Sequence, residues 1–170
     1  GAGWLWPGGA FVAIILLGGM LPPWDFDVRE YHLQVPKEWY QQGKITFLPH
    51  NVYGNMPLGA EMHALLAMVL LQGERAWWWG ALAGKTVIAA LMPLTALALF
   101  SAGRRFFSMT AGVVAALVYV SIPWMAKVSM AGLIEGAVAF YLLLAVYAVM
   151  LWSCRRSKAK TDDDGRPSRH

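Results

Sequence analysis

Charge is scarce in this sequence and cysteine is almost absent. Only 14% of the 170 residues are Asp, Glu, Lys or Arg, against 58% hydrophobic. A soluble globular domain carries about 25% charged residues. This chain therefore cannot cover its apolar surface with polar groups, which excludes a soluble enzyme and a disordered chain. The lone Cys154 excludes an internal disulfide framework. There is no P-loop, no GxGxxG, no HExxH and no His/Cys cluster at metal-ligand spacing. The net charge is +4 and the pI is about 9.4. That excess gathers in the tail, with no basic stripes interleaved with aromatics, so no nucleic-acid partner is expected.

Charge is missing altogether from residues 1–24, 86–103, 106–126 and 136–154. Each run has about the 18 or more residues needed to cross a hydrocarbon core roughly 30 Å thick. The fold class is all-α: a multi-span helical membrane protein with about four transmembrane helices and juxtamembrane amphipathic helices in a first outer loop. The first span occupies 1–23, the outer loop 24–76, spans two to four 77–153, and a basic polar cytoplasmic tail or linker 154–170. Residues 62–71 are apolar but too few to cross, and suit an interfacial or re-entrant helix. Trp77, Trp78 and Trp79 make an aromatic anchor at a membrane interface.

Cytoplasmic flanks are rich in Lys and Arg. Arg104–Arg105 and the cluster Arg155, Arg156, Lys158 and Lys160 are separated by two expected spans, so both belong on one side. This places 101–107 and 154–170 in the cytoplasm and 24–76 outside, in an integral multi-pass protein of the plasma or inner membrane. No Met or basic n-region precedes Gly1, and the polar stretch 157–170 leads to nothing. Both ends read as cut, as expected for the N-terminal portion of a longer chain.

The chemistry is expected between Trp24 and Glu61. Val28, Tyr31, Val35 and Trp39 recur at helical spacing, with Asp27, Glu30, Gln34, Lys37 and Gln41 on a polar stripe. This predicts an amphipathic helix lying on the membrane with its aromatics down, kinked at Pro36 and ended by Gly43. Residues 48–57 are turn chemistry. Asp27 and Glu30 have capping-box spacing, which would make Asp27 a helix cap, Asp25 plain surface and Glu61 the cap of the next short helix. Lys85 is expected to snorkel to the outer interface, and Lys127 to pair with Glu135. An acid at a span mouth, as Glu135 is, is also a functional candidate.

The run Asp27-Val28-Arg29-Glu30-Tyr31-His32-Leu33, followed by Pro36-Lys37, Gly43, Leu48-Pro49, Asn51, Tyr53, Asn55, Pro57 and Glu61, resembles the first outer loop of bacterial GT-C glycosyltransferases. These are polyprenyl-phosphate-sugar-dependent enzymes related to aminoarabinose transferases and protein O-mannosyltransferases. The resemblance implies transfer of a sugar from a polyprenyl-phosphate donor to an acceptor on the non-cytoplasmic face, at the surface of the lipid bilayer. In that family an Asp lies four residues before a Tyr at the start of a juxtamembrane helix, which matches Asp27 and Tyr31. A second acid follows in the next outer loop, where this chain has Glu135. Asp27 and Glu135 are thereby the catalytic candidates, with Asp27 the acceptor's base or its positioning group. Glu135 would support Asp27 or bind a divalent cation, the one cofactor the resemblance leaves open. Glu30, Tyr31, His32, Lys37, His50, Asn51, Asn55 and Glu61 are the substrate-binding candidates. Arg29, Lys37 or Lys44 would meet the phosphate. The sequence departs from the family at Met56, where the aminoarabinose transferases carry Lys, and in having fewer spans. Rival classes are a truncated, non-catalytic accessory membrane protein whose outer loop binds lipid or a partner, and a transporter half. The almost wholly apolar spans argue against the transporter.

Overall fold

The computed structural model describes residues 5–164. The outermost residues of the expected first span, 1–4, and of the expected tail, 165–170, lie outside the described residues. In chain order the helices are α1 (Leu5–Gly19), α2 (Gln34–Gln42), α3 (Met62–Leu71), α4 (Ala76–Phe106), α5 (Met109–Val120), α6 (Pro123–Ala131) and α7 (Glu135–Asp164). A π-turn, Val28–His32, precedes α2, and a 3-10 turn, Val52–Asn55, lies between α2 and α3. Among the described residues the fold is all-helical.

Two helices, α4 and α7, are long and apolar enough to cross a membrane. The expected third span is a bent pair: α5 ends at Val120, Pro123 starts α6, and the two meet at 61°. Counted as one span, the pair raises the number to three. The described part of α1 has 15 residues, roughly 22 Å at 1.5 Å per residue, short of a full crossing. α3 has 10 residues and spans only about 15 Å. α7 continues through the basic cluster as far as Asp164.

α4 is the centre on which α1, α3, α5, α6 and α7 pack. Gly80 and Gly84 let α3 lie almost backbone to backbone on α4. A Cβ on Gly84 would sit 2.6 Å from Ala64 Cα, and one on Gly80 would sit 2.5 Å from the Met68 amide. Small residues four apart on one helix face allow this approach, which suits helices that lack a hydrophobic drive to associate in lipid.

The segment before α3 folds back onto it. Val35, Trp39, Leu48 and Leu58 form a buried cluster, with Tyr31, Met62 and Leu65 packed against them. The apolar stripe expected to face lipid is thus covered by the chain's own loop and by α3. Gly43 ends α2 as expected, in the left-handed conformation at φ 66°, its amide donating to Trp39 and Tyr40 carbonyls. The kink is not at Pro36. The helix breaks earlier, at Leu33, whose amide reaches back five residues to the Val28 carbonyl at 3.0 Å. Pro36 lies in the first turn of α2, where a missing amide costs least.

Candidate functional site

The π-turn positions the candidate residues, and a residue read as plain surface caps it. Asp25 Oδ1 accepts the Asp27 amide at 3.1 Å and the Val28 amide at 3.5 Å. The Asp27 side chain makes no capping bond, contrary to the capping-box expectation, and is exposed. Both residues satisfy the preference for a short acid at a helix start, so spacing alone could not tell them apart.

Asp27 opens onto a groove of about 440 Å³ lined by Tyr31, His32, Ile134, Glu135 and Val138 among others. Asp27 comes from the π-turn and Glu135 from the first turn of α7, so the two candidate acids converge from distant parts of the chain. Glu135 does not pair with Lys127. The Lys127 ammonium lies over Trp124, 4.7 Å from the ring centroid, and 5.7 Å from that of Trp24. Among the described residues no cation forms an ion pair with either acid. Tyr31 stacks on Tyr53 with centroids 4.8 Å apart. Burial pushes the Tyr31 hydroxyl above its ordinary pKa, and the carboxylates of Asp27, Glu135 and Glu61 push it the same way.

His32 forms the inner wall of this groove and is itself buried. Its Nδ1 lies 2.5 Å from Glu61 Oε1, and Glu61 is buried as well. Glu61 therefore does not cap α3. Its second oxygen, Oε2, is buried and has no hydrogen-bond partner among the described residues. His32, Glu61, Lys85 and Gly132 surround a cavity of about 10 Å³ behind the groove, about enough for one water. Lys85 does not snorkel. It is 1% exposed, and its Nζ donates to the Leu21 carbonyl at 2.7 Å, just past the end of α1. A cation there complements the exposed carbonyls of a helix C-terminus.

A second groove, of about 610 Å³, is lined by Arg29, Glu30, Gln34, Lys37, Trp77 and Trp78 among others. Lys37 Nζ sits 4.4 Å from the Trp77 ring centroid. Among the described residues neither Arg29 nor Lys37 is ion-paired. Of the three cations considered for a phosphate, these two share a groove, whereas Lys44 lies against Trp39, Tyr40 and Val69 elsewhere.

Compared with known proteins, the chain matches no protein-family model, no curated protein and no solved structure. The chemistry of the site rests on its own residues.

The remaining candidates hold the loop together. Asn51 is buried, accepts the Tyr53 and Gly54 amides at 3.1 and 3.3 Å, and donates to the Glu30 carbonyl at 3.0 Å. It thereby ties the 3-10 turn to the π-turn. Asn55 Nδ2 donates to the Asn51 and Val52 carbonyls at 3.3 and 3.4 Å. His50 Nε2 meets Glu38 Oε2 at 2.8 Å, away from both grooves. Among the described residues no group of three or more His, Cys, Asp or Glu is placed to hold a metal ion. Asp27 and Glu135 do not by themselves make such a set, and the chemistry below uses protein groups only. Sequence reading missed Asp25, the Trp77 and Trp78 wall of the second groove, and Tyr53 under Tyr31. Only the Trp run carried a signal, and it pointed to the membrane interface.

Proposed function

We propose that this chain carries the substrate-handling outer loop of a GT-C-type membrane glycosyltransferase. It would transfer a sugar from a polyprenyl-phosphate donor to an acceptor on the non-cytoplasmic face. The proposal includes the four-span topology with 24–76 outside and the plasma or inner membrane as its location. The observation that carries it is the meeting of Asp27 and Glu135 in one groove, beside Tyr31 and, among the described residues, without an ion-paired cation. Unpaired carboxylates held at the edge of an apolar helical body suit a reaction that develops positive charge at an anomeric carbon.

A glycosyl phosphate already has a good leaving group. The protein must hold the departing phosphate, orient the acceptor hydroxyl and accept its proton. Arg29 and Lys37 are the cations for the phosphate, in a groove walled by Trp77 and Trp78 that a lipid-linked donor reaches from the side. Asp27 orients the acceptor hydroxyl or serves as its base. Glu135 adds a second negative charge in the same groove.

The test is transfer by the full-length protein reconstituted in vesicles with a panel of sugars linked to short polyprenyl phosphates. Asp27→Asn is expected to lower turnover by about 10²-fold or more, with the thermal transition unchanged. Near-normal turnover in that variant would remove Asp27 from the site.

A further inference from the structure

We infer that His32 is the proton acceptor of the groove, with Glu61 as its positioning residue. This deepens the sugar-transfer reading and rests on it.

First, His32 Nδ1 and Glu61 Oε1 form a buried pair at 2.5 Å. A carboxylate accepts, so Nδ1 carries the proton and Nε2 keeps a lone pair. No protein group among the described residues bonds Nε2. Second, His32 is among the residues that line the groove holding Asp27 and Glu135. A histidine that served only to staple the π-turn to α3 would have no need to border that groove.

Charged groups face the ring from several elements. Asp27 and Tyr31 face it from the π-turn, Glu135 from α7, Glu61 from the start of α3, and Lys85 from α4 across the small cavity. Glu61 Oε2 has no hydrogen-bond partner among the described residues, and Lys85 Nζ is engaged by the Leu21 carbonyl. Three carboxylates thus stand against one engaged cation. A carboxylate behind an imidazole fixes its tautomer and stabilises the imidazolium as it forms, as in Ser-His-Asp catalysis. An imidazole with a free ring nitrogen can take the proton of a hydroxyl that comes within hydrogen-bond reach.

In the transfer step the acceptor O–H gives its proton to His32 Nε2. The acceptor oxygen's electron pair forms the bond to the anomeric carbon. The bond from that carbon to the phosphate oxygen breaks, and its pair departs with the lipid phosphate. Asp27 then offsets the positive charge developing at the anomeric carbon. The imidazolium afterwards releases its proton to water through the open side of the groove.

The experiment measures polyprenyl-phosphate release by the full-length reconstituted protein between about pH 5 and 9, with the donor panel above and water or a free sugar as acceptor. The wild-type rate should rise with pH through a limb that belongs to the proton acceptor. His32→Gln should lose about 10²-fold or more and lose that limb. Glu61→Gln, of nearly the same volume, should keep part of the rate but displace the limb, because the ring loses the partner at its Nδ1. A His32→Gln protein with the limb intact overturns the base assignment and leaves sugar transfer standing. If His32→Gln gives no thermal transition, Glu61→Gln decides: a displaced limb supports the inference and an unmoved one overturns it. A wild-type protein inert toward every donor overturns the sugar-transfer reading, and the inference falls with it.

Discussion

Asp25 accepts the main-chain amide of Asp27 at 3.1 Å, so one acid holds the turn and leaves the other free for the groove. The two residues should therefore separate stability from activity. Asp25→Ala is expected to cost about 1 kcal/mol, as the loss of a helix N-cap does. Asp27→Ala should cost less than about 0.5 kcal/mol, as at an uninvolved surface position. Thermal unfolding in one detergent would compare them. Equal losses would mean that Asp27 shares the cap.

Lys85 is the second place where a charged residue supports the fold. Lys85→Met keeps the stem but takes the ammonium donor from the Leu21 carbonyl in a part-buried bond. The expected loss is about 1–3 kcal/mol, the usual cost of an unsatisfied polar group. The unfolding midpoint of Lys85→Met against wild type checks this, and an unchanged midpoint would show that the bond contributes nothing.

Gly84 and Gly9 make a matched pair. A methyl group on Gly84 would overlap the Ala64 backbone, which cannot swing aside, whereas one on Gly9 meets nothing within 4 Å. Gly84→Ala should destabilise by about 1–3 kcal/mol through overpacking. Gly9→Ala should be neutral or stabilising by up to about 1 kcal/mol, since alanine orders more readily in a helix. Their unfolding midpoints should move in different directions.

Tyr31 gives a pH signature of the acid groove. Its folded pKa is raised above the ordinary 10.0, by burial first and then by Asp27, Glu135 and Glu61. The folded state thus holds this proton more tightly than the unfolded chain does. The stabilisation is complete below pH 10.0 and is lost as pH rises through the folded value. Ultraviolet difference titration of wild type against Tyr31→Phe should isolate a late-ionising tyrosine. Glu135→Gln should bring that step to lower pH, and an unmoved step would mean that Glu135 does not face the ring.

Much of this was legible because it depends on local composition. The uncharged runs marked α4 and α7, the brevity of 62–71 marked α3, and Gly43 marked the end of α2. The break between α5 and α6 was not seen, although Pro123 announced it, because hydropathy runs through it undisturbed. Lys85 and Lys127 were misplaced for another reason. Their partners, the Leu21 carbonyl and the Trp24 and Trp124 rings, include groups far off in sequence, and water at the interface looked like the nearer alternative. At the site, helical spacing set Asp27 and Tyr31 on different stripes, and only the resemblance linked them; both line the groove. The His32–Glu61 contact could not be read from spacing, because it depends on how α3 folds back beneath the π-turn.

The π-turn itself has a consequence for how charge is sorted. In an unbroken α-helix, Asp27, Glu30, Gln34 and Lys37 would run in one row down a single face. A π-turn adds one residue to the winding, and one residue is about 100° of azimuth. Asp27 then faces Glu135, while Glu30, Gln34 and Lys37 face the tryptophans. A single extra residue puts the carboxylate and the ammonium out of phase, so that they do not neutralise each other along the helix.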